Sequence, residues 1–380
     1  MRIRTLTLWF LLIRFILTIA LPLDGLRAYG DYWNFYALAA LPGLPFIHYW
    51  VEFPPVFPFI STILFHLAGG REFAYTYLLM LLLALAQAAS LGLFAHLTLR
   101  LHSGAAAWRR IVAYAALTLA LPYGWWYFDA LAVLFLLLGL TALLNQRDTL
   151  TGIALALGTL TKLFPALLLA AVWRFRTPRR AAWITALALG ISALILGTLY
   201  AISPQFTAAS LKAQAAKGSW NTPWALLDSN FGTGNFGEAA NHQLPESAAI
   251  RNRNPARVPA WLTLIPFGLL GLWLFRRSPA QGEINLIAFT GLTWCVFLLW
   301  SPGFSVQWVL YLLPLMLLVL PERLAVQFAV LLVLLGLVQW PLLLSRGWFW
   351  SLWLLIPLRT LLLLLLAFAF AQPRSAVTIT

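Results

Sequence analysis

The feature that most constrains this chain is a succession of apolar runs, each roughly 17–25 residues long, separated by short polar breaks. That is the length an α-helix needs to cross the hydrocarbon core of a bilayer. Only 9% of the 380 residues are charged and 62% are hydrophobic, too little polar material to cover a soluble fold of this size. The expected fold class is therefore all-α, a polytopic transmembrane helical protein forming one integral membrane domain over residues 1–380. Disorder, collagen-like repeats and a soluble nucleotide-binding domain are excluded by the same composition. A disulfide framework is excluded because the one cysteine, Cys295, lies inside an apolar run.

The net charge of +14 does not point to nucleic acid, because the basic residues form no patch interleaved with aromatics. They flank the apolar runs, often in pairs: Arg109-Arg110, Arg179-Arg180 and Arg276-Arg277. Such pairs mark the cytoplasmic side of a membrane protein. Met1 to Arg4 followed by an apolar run to Leu23 reads as an uncleaved signal anchor with a cytoplasmic N-terminus. Spans are then expected near 5–23, 73–99, 111–122, 130–144, 181–202, 258–275, 284–300, 305–320, 324–343 and 349–371, within a total of about 10–12. Residues 54–68 are expected as a juxtamembrane helix at the outer interface, since a crossing there would put Arg100, Arg109 and Arg110 outside. Residues 152–173 have arginines at both ends and Lys162 at the middle, which predicts a hairpin of two short helices. Residues 24–72 form the first external loop in this arrangement, and 203–257 the large one.

On this topology, eight of the eleven carboxylates face the outer compartment, and only Asp148, Glu283 and Glu322 face inward. Acidic residues contribute little to orientation, so the asymmetry reflects either loop solvation or chemistry at the outer face. Glu238 and Glu246 sit in a long polar loop and fit solvation. Asp31, Glu52 and Asp129 sit among aromatics and fit it less well.

The first external loop runs from Asp24-Gly25 through Gly30-Asp31-Tyr32-Trp33-Asn34-Phe35-Tyr36, then Pro42-Gly43-Leu44-Pro45 and Glu52-Phe53-Pro54-Pro55. Three further stretches share its character: Tyr127-Phe128-Asp129-Ala130-Leu131 opening a span, Gly158-Thr159-Leu160-Thr161-Lys162-Leu163-Phe164-Pro165 in the hairpin, and Ser301-Pro302-Gly303-Phe304 entering a late span. Taken in order, the four resemble the GT-C superfamily of integral membrane glycosyltransferases. The likeness is strongest to the polyprenyl-phosphate-mannose-dependent enzymes of glycosyltransferase family 87, with the dolichyl-phosphate-mannose transferase-like group next. Phe53-Pro54-Pro55 stands where Tyr-Pro-Pro is common, and Leu163-Phe164 where some relatives have Gly-Pro.

The resemblance implies a glycosyltransferase of the plasma membrane that moves a sugar, a hexose such as mannose, from a polyprenyl-phosphate-linked donor. The acceptor would be a glycan, glycolipid or protein at the outer face, and the anomeric centre would invert. Such a displacement needs a carboxylate to take the acceptor's hydroxyl proton and a cation to stabilise the departing lipid phosphate. Asp31 suits the base, with Asp24 as its rival; loop solvation or an N-cap contact are the structural alternatives for Asp31. Lys162 is the one lysine in the membrane zone, a candidate for the donor phosphate, with snorkelling or an internal ion pair as alternatives. Glu52 and Asp129 suit a divalent cation or acceptor hydroxyls, and Asp129 equally suits a helix N-cap. No His/Cys/Asp spacing demands a metal. Tyr36 and His48 in the first loop, and Trp220, Trp224 and Asp228 in the large one, are candidate sugar or acceptor contacts, although interfacial anchoring accounts for the tryptophans as well. Gly232-x-Gly234-x-x-Gly237 matches a dinucleotide fingerprint by chance, because no strand precedes it, and reads as a flexible loop. Two other classes compete. An O-antigen ligase or polysaccharide polymerase is kept in view by His242, Arg251, Arg253 and Arg257, and a transporter is disfavoured by the lack of an internal repeat.

Overall fold

The computed structural model describes residues 3–22, 27, 31–232, 237–250 and 253–372. Among them there is no β-strand, and the fold is the expected all-α assembly of membrane-crossing length. Among the described residues six helices are long and apolar enough to cross a bilayer: Ile3–Ala20, Glu72–Leu101, Pro178–Ile202, Glu283–Trp300, Glu322–Arg346 and Phe349–Ala371. All ten expected spans fall in helices, but four of those helices are shorter or less apolar than an independent span needs.

In chain order the helices used below are α1 (Ile3–Ala20), α2 (Tyr32–Ala39), α3 (Val56–Leu67), α4 (Glu72–Leu101), α5 (Gly104–Ala120), α6 (Asp129–Leu144), α7 (Asp148–Thr161), α8 (Leu168–Phe175) and α9 (Pro178–Ile202). They continue with α10 (Pro204–Ala215), α11 (Pro223–Asp228), α12 (Ala260–Arg277), α13 (Glu283–Trp300), α14 (Val309–Val319), α15 (Glu322–Leu337) and α16 (Leu352–Ala371). Proline opens α9, α10 and α11, where its missing N–H costs nothing and its fixed φ suits the first turn. Thr222 caps α11 by accepting from Ala225 N at 3.3 Å.

The centre of the bundle is α14, in which every residue is buried, packed with α6, α4 and α13. Helices α9 and α12 instead expose large apolar side chains such as Leu194 and Trp261, the pattern of surfaces solvated by lipid. Helix α3 has 12 residues, about 18 Å at the usual rise, too short to cross. Residues 148–175 form the expected hairpin, α7 turning at Lys162-Leu163 into a 3₁₀ turn (Phe164–Leu167) and α8. The turn is tight because Gly158 lacks a side chain: a Cβ there would stand 2.8 Å from Pro165 and 2.9 Å from Phe135.

Charge separates along the bundle. All three carboxylates assigned to the inner side meet arginines: Glu283 with Arg100, Glu322 with Arg109, and Asp148 with Arg176 and Arg180. Thirty residues of α4, about 45 Å of helix, separate this end from Glu72 beside the first loop. Arg14, expected within the membrane, is buried in the bundle; it donates to Gly124 O at 2.6 Å and lies over the Trp125 ring. Gln87 donates to the same carbonyl at 3.0 Å, so two side chains fix the segment that leads into α6.

Candidate active site

Asp31 directly precedes α2, a short helix fastened along one side. Tyr32 Oη lies 2.6 Å from Thr76 Oγ1, Tyr36 Oη donates to Gly70 O at 2.7 Å, and Phe35 packs edge-on against Phe57 and Phe128. The Asp31 side chain makes no capping bond to α2. It faces a cavity of about 1480 Å³ that is also lined by Glu52, Tyr127, Lys162, Lys217, Trp220 and Arg253. Deep placement strips water from the carboxylate, the Glu52 charge adds repulsion, and Lys162 and Lys217 oppose both; the result is an Asp31 carboxyl pushed up to about 7.

The loops that roof the cavity are tied together by polar contacts. Trp50 stacks on His242 at 3.8 Å, its Nε1 donates to Ser247 Oγ at 3.0 Å, and Trp50 N donates to His242 O at 2.9 Å. Glu52, two residues on, lies 3.5 Å from Lys217 Nζ. The stretch after Lys217 docks on the Ser-Pro-Gly-Phe segment: Trp220 N donates to Pro302 O, Phe304 N to Trp220 O, and Thr222 Oγ1 to Pro302 O at 2.7 Å. The Trp220 ring occupies the place of a side chain at Gly303, where a Cβ would stand 2.2 Å from the indole. Glycine in that motif is thus a seat for the large loop.

Lys162 stands where α7 ends, its backbone extended, and donates to both Asp129 oxygens at 2.8 Å. Rings of Phe128, Phe164 and Trp308 surround the ammonium at 5.0–6.0 Å. Lys162 keeps 15% exposure on the cavity side, while Asp129 has none. The ion-pair alternative for Lys162 is therefore present in the structure. Asp129, expected at the outer face, is enclosed in the bundle; it is the first residue of α6 and makes no N-cap bond.

Asp31, Glu52, Lys162 and Trp220 come together at one cavity. Tyr36, His48, Trp224 and Asp228 do not line it. Tyr36 is turned to Gly70, and exposed His48 accepts from Leu44 N at 2.9 Å beside the Gly43 turn. Asp228 is buried and accepts from Ser219 Oγ at 2.6 Å and Arg257 N at 2.8 Å, a loop-bracing role in place of sugar contact. Asp24 and residues 233–236 of the glycine-rich stretch lie outside the described residues. Among the described residues no three His, Cys, Asp or Glu side chains stand close enough to hold a metal ion. Lys217 and Arg253 were missed as site residues. Lys217 is one of only three lysines, and Arg253 had weighed only toward the ligase alternative; neither carries a local motif.

No curated protein and no solved structure matches the chain. The family model for glycosyltransferase family 87 matches residues 50–302, a segment that holds Glu52, Asp129, Lys162, Trp220 and Arg253 but begins after Asp31. With more than half of its length matched, this multi-pass membrane protein belongs to glycosyltransferase family 87.

Proposed function

We propose that the protein transfers a hexose such as mannose from a polyprenyl-phosphate-linked donor to a glycan, glycolipid or protein acceptor, with inversion and with Asp31 as the base. The observation that carries this is the state of Asp31: uncapped, at the wall of a large cavity, with its carboxyl raised to about 7. An ordinary aspartate is too weak a base to hold a hydroxyl proton at neutral pH. One raised to this value is about half ionised at neutral pH and is basic enough to accept it as the bond to the anomeric carbon forms. Lys162 spends two of its three N–H bonds on Asp129, which leaves one for a donor phosphate oxygen. Glu52 acts on Asp31 by charge, and Trp220 offers an aromatic face to a sugar ring.

The cavity is assigned to the outer face of the plasma membrane, with the N-terminus cytoplasmic. Support comes from the arginines at the far end of the bundle, Arg100, Arg109, Arg176 and Arg180, which the positive-inside bias places in the cytoplasm. The test is to incubate the full chain in lipid with radiolabelled polyprenyl-phosphate sugars and a membrane extract as acceptor source. The expected result is transfer of one label by the wild type and none by Asp31→Asn. Failure of the wild type to transfer or release any label would overturn the donor class.

A further inference from the structure

Three cations line the cavity among the described residues: Lys162, Lys217 and Arg253. Two already face a carboxylate. Lys162 is held by Asp129, and Lys217 lies 3.5 Å from Glu52. Arg253 forms no ion pair within 4.0 Å among the described residues, and of the cavity's carboxylates only the Glu52 charge acts on it. Its position is nevertheless fixed. Nη1 donates to Ser219 O at 2.8 Å, the guanidinium lies 5.2 Å from the Trp220 ring centroid, and the side chain crosses Gly218, where a Cβ would stand 3.1 Å from Arg253 Cδ. Its neighbour Asn254 is braced through Asn230 Oδ1, and Asn230 through Ser219 Oγ, which in turn bonds Asp228. A guanidinium has five N–H donors in a rigid plane, so this one reaches the cavity with most of its fork uncommitted.

We infer that Arg253 binds the phosphate group of a lipid-linked ligand in this cavity and supplies the net positive charge that the paired Lys162 does not. The inference rests on the donor class proposed above and adds a site to it. In the transfer step the acceptor oxygen forms a bond to the anomeric carbon, its proton passes to Asp31, and the bond from that carbon to the phosphate oxygen breaks with its electron pair. The donor phosphate carries one negative charge before the step and two after it. Lys162 with Asp129, and Lys217 with Glu52, are each neutral pairs and add little net attraction for the second charge. Arg253 brings a whole positive charge and the planar geometry that matches two phosphate oxygens.

Binding to the full chain in nanodiscs tests this without any turnover, using polyprenyl phosphate and the uncharged polyprenol as probes. The expected result is a wild-type preference for the phosphate form that Arg253→Gln weakens about 10- to 100-fold, with polyprenol binding unchanged as proof of folding. A full preference retained in Arg253→Gln overturns the inference and leaves the donor class standing. Should Arg253→Gln bind neither lipid, Arg253→Lys decides: a weakened preference supports the site, because the fork is lost, and an unchanged one overturns it. A wild type without preference for the phosphate form refutes the donor class itself. Inorganic phosphate binding that depends on Arg253 would then uphold the anion site with a soluble ligand, and its absence would overturn the site too.

Discussion

Replacing Asp31 by asparagine separates chemistry from stability, because the two should change in opposite directions. The amide keeps the shape but cannot accept a hydroxyl proton, so transfer should fall to background while polyprenyl phosphate still binds. Stability follows from the raised carboxyl. Between the ordinary value of 3.8 and about 7, the folded chain holds a proton that the unfolded chain releases, so stability falls as pH rises through that window and the full deficit stands above it. At 1.36 kcal/mol per unit the shift corresponds to about 4 kcal/mol, and water reaching Asp31 from the cavity reduces this to about 2–4 kcal/mol. Asp31→Asn should therefore unfold at a higher temperature than the wild type at pH 8 and at nearly the same temperature at pH 4. Thermal unfolding in one detergent at both pH values, beside the radiolabel assay, reads both effects. Wild-type turnover in Asp31→Asn would refute the assignment of the base. A dead variant that gains no stability at pH 8 would refute the electrostatic account of it.

Lys162→Met should be destabilised by about 3–5 kcal/mol, since it leaves the fully enclosed Asp129 carboxylate unpaired, and Asp129→Asn with Lys162→Met should recover much of that; equal stability of the single and double variants would contradict the pairing. Glu52→Gln removes a charge that raises Asp31, so the acidic limb of the pH profile of kcat/KM should move to lower pH; a limb that stays in place removes Glu52 from the site's electrostatics. For topology, a cysteine in place of exposed Arg109 should react with an impermeant maleimide only after the membrane is opened, and one in place of exposed Leu227 in intact cells; the reverse pattern inverts the protein in the membrane. Gly303→Ala should loosen the large loop by displacing the Trp220 indole, detected as faster proteolysis within 203–257, and an unchanged cleavage rate would show that the Trp220 seat is not what holds the loop.

The elements legible in the sequence are those set by local pattern. Apolar run length located a helix at each of the ten expected spans, six of them long and apolar enough to cross a bilayer, and the arginines around 152–173 with Lys162 between them required a hairpin, which α7 and α8 form. Asp31 could be singled out because an acid among aromatics after a first span is locally conspicuous. Its lack of a capping bond could not, since that depends on how α2 is pinned by Thr76 and Gly70 from another helix and turn. The acid that opens α6, Asp129, was legible, but its full enclosure was not: how deeply a helix's first residue is buried is a packing result, and here Phe128, Phe164 and Trp308 close over its partner Lys162. Tyr36, Trp224 and Asp228 have the chemistry of sugar contacts, but side-chain direction in an irregular loop has no period to read. Arg253 was hidden for the same reason. Its nearest bonded partner, Ser219, is 34 residues away.

The division of labour between bundle and loops explains why the reactive charges are where they are. In the bundle a charge is costly unless it is paired or hydrogen-bonded, so Lys162 and Asp129 meet each other, the acids of the arginine end meet arginines, and buried Arg14 and Arg359 donate to Gly124 O and to Gln339 Oε1 and Asn221 O. A paired charge can fix geometry but offers little net field to a substrate. Among the charged groups that line the cavity, the two without an ion-pair partner, Asp31 and Arg253, both lie on segments outside the spans. The cavity brings the two together only because loop 203–257 seats Trp220 on Gly303 and stacks His242 on Trp50. It follows that the bundle supplies a rigid floor for the proposed transfer step, whereas the proposed base, Asp31, and the proposed phosphate cation, Arg253, depend on how the loops between the spans are docked upon it.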